Sequence, residues 1–454
     1  MTKNRMLFVV CVVVTFCLGI QCKKEPPINP PDSSKSEIVI SLFDTTCTEA
    51  WIRLQTKNLA VPHDYKLYRD SDLVYAGRVY TNDTTVIDTS LLPQRNYHYM
   101  AYRIDGGVIK DSSAVLPVNS MDTTSHEFIW SVETIGYHYS IIRDVAIVND
   151  TLAYAVGHFY ASADTAIGNQ VPYNVACWNG VKWELMRVMV ETRQIPPNPP
   201  HYYWPDEIFG IFAFSPNEII LATQGQFIKW DGISEKGSEY VYMPNTSVQT
   251  VWGTTPKNVF GAGYSGSFVR YDGTTWTKYD SLTNTTLTDI YGTRDGKEVW
   301  ATGYNFDGRS AVVRWSEGNL EKIFSEMDGS AKQSSFLSGY LPSLWIDKSK
   351  IYLSSSMGYI MTYSLITKTP KAAAVRLQYF PYAIRGSGCN NIIVACDRAV
   401  LYHFNGSTWK TINQFNNINH RLFSISFHKR LIITSGRTLT NSGQSALVII
   451  GKKL

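Results

Sequence analysis

The sequence predicts an all-β protein, a small β-sandwich followed by a seven-bladed β-propeller, and three observations carry that prediction. Short runs of alternating apolar and polar residues, broken by Gly, Asn and Asp, fill the chain from Glu37 onward. Such alternation marks strands with one wet and one buried face. After Ile135 a weak repeat of about forty residues takes over; its clearest copy, VWGTTPKNVFGAGYSGSFVRYDGTTW, runs from Val251 to Trp276. Repeats of that period, built from strands and turns, point to a propeller. Several copies also end at a Gly-x-x-Trp turn: WNGVKW from Trp178, YDGTTW from Tyr271 and FNGSTW from Phe404.

The first residues are set apart by composition. Lys3 and Arg5 precede an apolar run from Met6 to Ile20, which is short for a bilayer span and has the layout of an export signal. Cys22 follows, and then the proline-rich stretch KKEPPINPP from Lys23 to Pro31. An apolar run ending at a cysteine before such a tether resembles a bacterial lipoprotein signal. The resemblance implies removal of residues 1–21, lipidation of Cys22 and a flexible tether over 22–36. Ile20 and Gln21 stand where that family usually has small residues, and Cys17 is the weaker acceptor because Leu18 and Ile20 would then begin the tether. An ordinary signal peptide and an uncleaved anchor stay open. All three place the body of the protein outside the cytoplasm; lipidation places it at the outer membrane, facing the periplasm or the surface.

The formal net charge is +4 at pH 7, with Lys3 and Arg5 contributing two of the positive charges. No basic run is interleaved with aromatics, so a nucleic-acid partner is not expected. Of the cysteines in the body, Cys389 and Cys396 flank an expected hairpin in GCNNIIVAC, which starts at Gly388. A bridge between them is allowed in an oxidising compartment, with buried free thiols as the alternative. The cysteines have no histidine partners at zinc-site spacing. Neither metal nor cofactor is expected.

Residues 37–118 read as strands in series: IVISL from Ile38, AWIRL from Ala50, YKLYR from Tyr65, LVY from Leu73, TVID from Thr85 and YHYMAYR from Tyr97, then Val108–Ile109 and Ala114–Leu116. Seven or so strands in about 80 residues suit a small sandwich. The segment resembles a fibronectin type III domain, with Trp51 at the family's core tryptophan and Leu91, Tyr97, Tyr99 and Ala101 at its leucine and tyrosine signature. The resemblance implies a spacer or adhesive module. MDTTS, from Met121 to Ser125, forms a polar junction.

The propeller is assigned to 126–454. Hydrophobic anchors fall at Val145, Ile211, Val251, Ile290, Leu344, Ile384 and Ile425, mostly about forty residues apart, each followed by a polar turn and a second apolar strand. Two longer steps carry insertions. The final unit offers only three strands, so FIWSV from Phe128 is expected to supply the fourth and stitch the termini into one blade, because open sheet edges invite association. Asn179, Asp272 and Asn405 precede glycine, where a hairpin needs residues tolerant of positive φ. They are read as turn formers, with the tryptophans packing between blades.

Chemistry is sparse. Nucleotide-binding glycine motifs and calcium loops are absent from the sequence, and the nine histidines are scattered. The turns resemble sialidase Asp-boxes but lack the family's serine and Asp-x-Gly spacing. More broadly, the repeats resemble BNR-like and photosystem-assembly-factor-like propellers, and envelope lipoproteins of Bacteroidetes-type bacteria that join a fibronectin-type domain to such a ring. That resemblance implies fold rather than function. The expected role is a non-catalytic binding or scaffold module with a glycan or an envelope protein as ligand. A sialidase- or glycosidase-like enzyme is the alternative, and needs two carboxylates at a defined separation. The insertion IPPNPPHYYWP offers Tyr202, Tyr203 and Trp204 as a stacking surface, with packing over the adjacent blade as its other reading. Tyr340, in the second insertion, is the remaining candidate.

Overall fold

The computed structural model describes residues 37–162, 171–192, 201–205, 207–223, 225–242, 246–325, 339–441 and 443–454. Cys22, the leader and the tether lie outside them, as do residues 193–200 of the aromatic insertion. No helix among the described residues is long and apolar enough to cross a membrane.

Residues 37–120 form two antiparallel sheets. One orders Glu37–Thr45, Ala50–Lys57 and Asp83–Asp88; the other orders Asp72–Val79, His63–Arg69, Asn96–Asp105 and Val108–Ser112, with Leu116–Asn119 also paired to Asn96–Asp105. Ile38, Ile52, Leu54, Leu67, Leu91 and Tyr99 belong to one buried cluster drawn from both sheets. Two tyrosines tie the loop ahead of Asn96–Asp105. The Leu92 amide donates to the Tyr97 hydroxyl at 2.8 Å, and the Tyr99 hydroxyl donates to Asp88 at 2.8 Å. Trp51 departs from expectation. Ala50, Ile52 and Leu54 take the inner face of their strand, so alternation turns Trp51 outward. It is buried nonetheless, against the second unit, with the Lys350 ammonium 4.9 Å from its ring centroid.

The rest of the described chain builds seven four-stranded antiparallel sheets. Sheets one to six follow in order over 141–186, 210–242, 248–279, 287–325, 344–376 and 381–412. Sheet seven takes His420–His428, Leu431–Thr440 and Gly443–Lys453, and its fourth strand is Phe128–Ile135, paired residue by residue with 446–453. The first strand of each sheet lies beside the first strand of the next, and that of sheet seven lies beside that of sheet one. The arrangement is propeller-like. Second strands are covered by a neighbour on both faces, which is why they read as unbroken apolar runs; all six residues of Asn391–Cys396 are buried.

Local chemistry fixes the details. The Asp272 carboxylate accepts from the Thr274 and Thr275 amides at 2.9 and 2.8 Å, and these bonds hold it well below the usual carboxylate range. Asn179 and Asn405 make the same turn, each followed by glycine at positive φ. The tryptophans after these turns reach the preceding sheet: Trp276 stacks on Phe227 at 4.0 Å, Trp409 joins Trp345 and Tyr352, and Trp183 meets Leu431 and Ile433. Gly157, Gly263, Gly303 and Gly436 each sit opposite a bulge in the first strand. A Cβ there would overlap the backbone carbonyl of Ile141, Ser247, Thr286 or Arg421.

The two units are joined by a polar seam. Cys47 Sγ donates to the Asp122 carbonyl at 3.2 Å, and the Asn390 amide donates to the same oxygen at 2.9 Å. Glu49 pairs with Lys350, and Asp44 lies 3.6 Å from Lys348. Cys389 lies in this seam, 3.6 Å from Met121 Sδ. Of the two readings open for Cys389 and Cys396, the structure gives buried free thiols. The intervening strand sets them about 20 Å apart at ~3.3 Å per residue, far beyond disulfide reach. Burial pushes the Cys389 thiol up to about 12.

His126 and His403 close the seam with a 2.7 Å contact between their Nδ1 atoms. His403 Nε2 faces Asn391 Oδ1 at 2.9 Å and His126 Nε2 faces Thr408 Oγ1 at 3.1 Å. His403 donates from Nε2 to the amide oxygen, which leaves its Nδ1 to accept from His126, while the Thr408 hydroxyl donates to Asn405 Oδ1 at 3.2 Å. Burial, then His126, Lys453 and Lys410, lower His403 to about 3. A histidine lowered on folding contributes stability that is whole above its unfolded value of about 6.5 and is lost as pH falls from there toward the folded value. Acidification from pH 7.5 to 5 is therefore expected to cost about 2 kcal/mol through this residue. Urea unfolding at both pH values checks it, and His403→Gln should flatten that part of the dependence.

Candidate functional site at the mouth of the channel

Val145, Ile211, Val251, Ile290 and Ile425 of the seven anchors border a narrow central cavity, and the residues just ahead of the anchors define its chemistry. One position before the anchors stand Asp144, Thr250, Asp289, Ser343 and Ser424, among others. Asp144 accepts from Ser424 Oγ at 2.6 Å, in sheet seven, and from the Ile211 amide at 3.1 Å, in sheet two. Its burial raises its pKa. Asp289 accepts from the Leu344 amide at 3.1 Å and from Ser343 Oγ, and both its oxygens take Arg385 at 2.8 and 2.6 Å. The Ile384 amide donates to Ser343 Oγ at 3.1 Å. Each aspartate thus fastens neighbouring sheets together. The same geometry accounts for a buried charge pair, since Arg385 also donates to the Leu344 and Ile384 carbonyls at 3.0 and 2.8 Å.

Two positions before the anchors stand Arg143, Phe209, Gln249, Thr288, Pro342, Tyr382 and Phe423. All seven line one cavity of about 440 Å³ at the channel mouth, with Tyr304, Phe306, Arg421, Arg437 and Gln444 completing much of its wall. Its Tyr304, Tyr382 and Phe423 join an arc completed by two rings that do not line it, Tyr340 and Phe380. Tyr340 stacks on Tyr304 at 5.0 Å, Tyr304 meets Phe380 at 6.0 Å, Phe380 meets Tyr382 at 4.6 Å and Tyr382 meets Phe423 at 5.2 Å. Phe306 is 84% exposed beside them. The Tyr340 hydroxyl donates to the Phe306 carbonyl at 3.1 Å. The seam with residues 37–120 involves Lys350 and Asn390, at the turns that follow the first strands, so it lies at the opposite end of those strands from the mouth.

The sequence candidates part company here. Tyr340 does not line the mouth cavity but stacks on Tyr304, which does. Tyr203 lies in a short strand, His201–Tyr203, paired with Val190–Thr192; its ring packs on the cluster shared by sheets one and two, and its hydroxyl bonds Gln226. Trp204 is partly exposed, at 41%, and neither it nor Tyr203 lines the mouth cavity. The Tyr202 side chain lies outside what is described. Tyr304, Phe306, Tyr382, Phe423 and Arg437 were not singled out from sequence; the offset of two from each anchor was the available signal for Tyr382 and Phe423. Among the described residues no group of three or more His, Cys, Asp or Glu is placed to hold a metal ion.

No protein-family model matches the chain, and no curated protein does. Among solved structures, the WD40 β-propeller domain of Doa1 is similar with a TM-score of 0.51 at 12% identity, over 72% of this chain and 98% of that one. YCF48 bound to D1 peptide is similar with a TM-score of 0.48 at 12% identity, over 72% and 96%. The first likeness agrees with the sheets described above: the fold is all-β and propeller-like.

Removing Asp289 strands the Arg385 guanidinium in the channel. Asp289→Ala is expected to lower unfolding free energy by about 3–5 kcal/mol, read from urea denaturation, whereas Asp272→Ala at an exposed turn should shift the midpoint far less.

Proposed function

We propose that this chain is a non-catalytic binding module of the bacterial cell envelope, lipidated at Cys22, that takes a glycan or an envelope protein at the channel mouth. In this reading residues 37–118 are a fibronectin type III-like spacer and 126–454 a seven-bladed β-propeller closed by Phe128–Ile135. The cyclic order of first strands and the pairing of 128–135 support the closure. The facing sheets of three and five strands support the spacer, as does the bond between Tyr97 and the Leu92 amide, which resembles a tyrosine corner.

The observation that carries the binding reading is the aromatic arc at the mouth. Rings held against one another yet open to solvent offer a pre-ordered stacking face with little rotamer entropy left to lose on binding. Clusters of exposed apolar surface of this kind mark interaction sites. The seam at the far end of the strands would turn the mouth away from an N-terminal lipid. The two buried aspartates of the channel fasten strands, and Asp289 also holds Arg385, so the enzyme alternative gains no support from them.

A soluble chain of residues 32–454 is expected to retain a ligand from a glycan array or an envelope extract. Tyr382→Ala/Phe423→Ala should weaken that binding at least tenfold (~1.4 kcal/mol) while Trp204→Ala leaves it unchanged. Equal binding by the mouth variant would reject the site.

A further inference from the structure

We infer that the mouth takes an acidic sugar, its carboxylate or sulfate on Arg437 and its ring face on Tyr382 and Phe423; this rests on the mouth being the binding site. The first support is charge. Three arginines line the cavity and no carboxylate does. Two of the three are already answered: Arg143 by Glu207, with contacts of 2.7 and 3.1 Å, and Arg421 by Asp397 at 3.2 Å. Among the described residues no carboxylate pairs with Arg437. Its Nη1 donates to Gln444 Oε1 at 3.2 Å, its guanidinium lies 5.7 Å from the Phe423 centroid, and its Nε is buried without an acceptor. A buried cationic donor left without an acceptor is costly. The guanidinium nonetheless lines the cavity with no carboxylate on it, and its planar fork matches a carboxylate or sulfate in two-point contact.

The second support is shape and lining. A cavity of about 440 Å³ is in the range that encloses a small ligand. Around the aromatic arc stand Gln249, Gln444 and Thr288, neutral groups that both donate and accept and so suit hydroxyls. Peptides more often dock by adding a strand to a sheet edge or laying a helix in a long groove. A pocket combining flat rings, amides and one unanswered arginine fits a charged sugar better.

The test is an array of glycans printed in acidic and neutral pairs: uronate oligosaccharides with their methyl esters, sialylated with asialo chains, and sulfated with unsulfated chains. Titration calorimetry then follows on the best pair. At least one acidic member should bind, and its neutral partner should bind at least tenfold more weakly. Arg437→Gln should bring the acidic member down to the neutral level without moving the melting temperature, and Arg437→Lys should keep part of the preference. Equal affinity within every pair, or a preference that survives Arg437→Gln, overturns the inference while leaving the mouth as a site. Silence toward every acidic glycan overturns it too. Should an envelope protein be retained instead, and lost in Tyr382→Ala/Phe423→Ala, the acidic sugar fails and the mouth reading stands.

Discussion

A row of sheets packed face to face buries every apolar surface only if the row has no ends, and here the two ends share one sheet. Phe128–Ile135 pairs with Gly443–Lys453, so the start and finish of the repeat region are held by a single hydrogen-bonded ladder. The consequence is visible in the core. Val145, Ala155 and Phe159 of sheet one belong to the same buried cluster as Leu431, Ile433 and Val448 of sheet seven. The Ile147 amide donates to Ser426 Oγ at 2.9 Å across the same boundary. Without that contact, two apolar faces and a bare strand edge would meet water. The mouth depends on it as well, since it draws one residue from the first strand or adjoining loop of each of the seven sheets.

Two layers of side chains then divide the work along the first strands. In the deeper layer Asp144 and Asp289 accept backbone and hydroxyl hydrogen bonds from neighbouring sheets, and Arg385 is held from several sides. Such groups give little net stability compared with an apolar filling, but they penalise any misplacement of one sheet against the next. The outer layer, one residue further toward the opening, carries Arg143, Phe209, Tyr382 and Phe423 and is open to solvent. Rigidity in the deeper layer is what lets the outer layer present a fixed arrangement of rings and charges.

Much of this was legible in the sequence. The anchors mark the first strands, the unbroken apolar runs mark the doubly covered second strands, and Asn179, Asp272 and Asn405 occupy the turns expected of them. Phe128 does begin the fourth strand of the last sheet. The site was legible only in part. Its residues lie tens of positions apart and become neighbours only through the ring, so no local motif announces them; only the offset from the anchors does. For Tyr203 the sequence left both a stacking surface and packing over the adjacent blade open, and its ring packs on the cluster of two sheets. Trp51 illustrates a related limit. Its strand was read correctly, but which face it occupies depends on a second unit that covers the outer side. Cys389 and Cys396 were close in number, and a strand between them carried them apart.

The first and last strands of the repeat region act as one closing sheet. Native-state hydrogen exchange by mass spectrometry tests this directly. The account predicts that peptides covering 128–135 and 443–453 are protected together and exchange with the same opening free energy as the first strands of sheets one and seven. Rapid exchange of 128–135 while the first strands stay protected would show that the ring holds without its closing strand and would contradict the account.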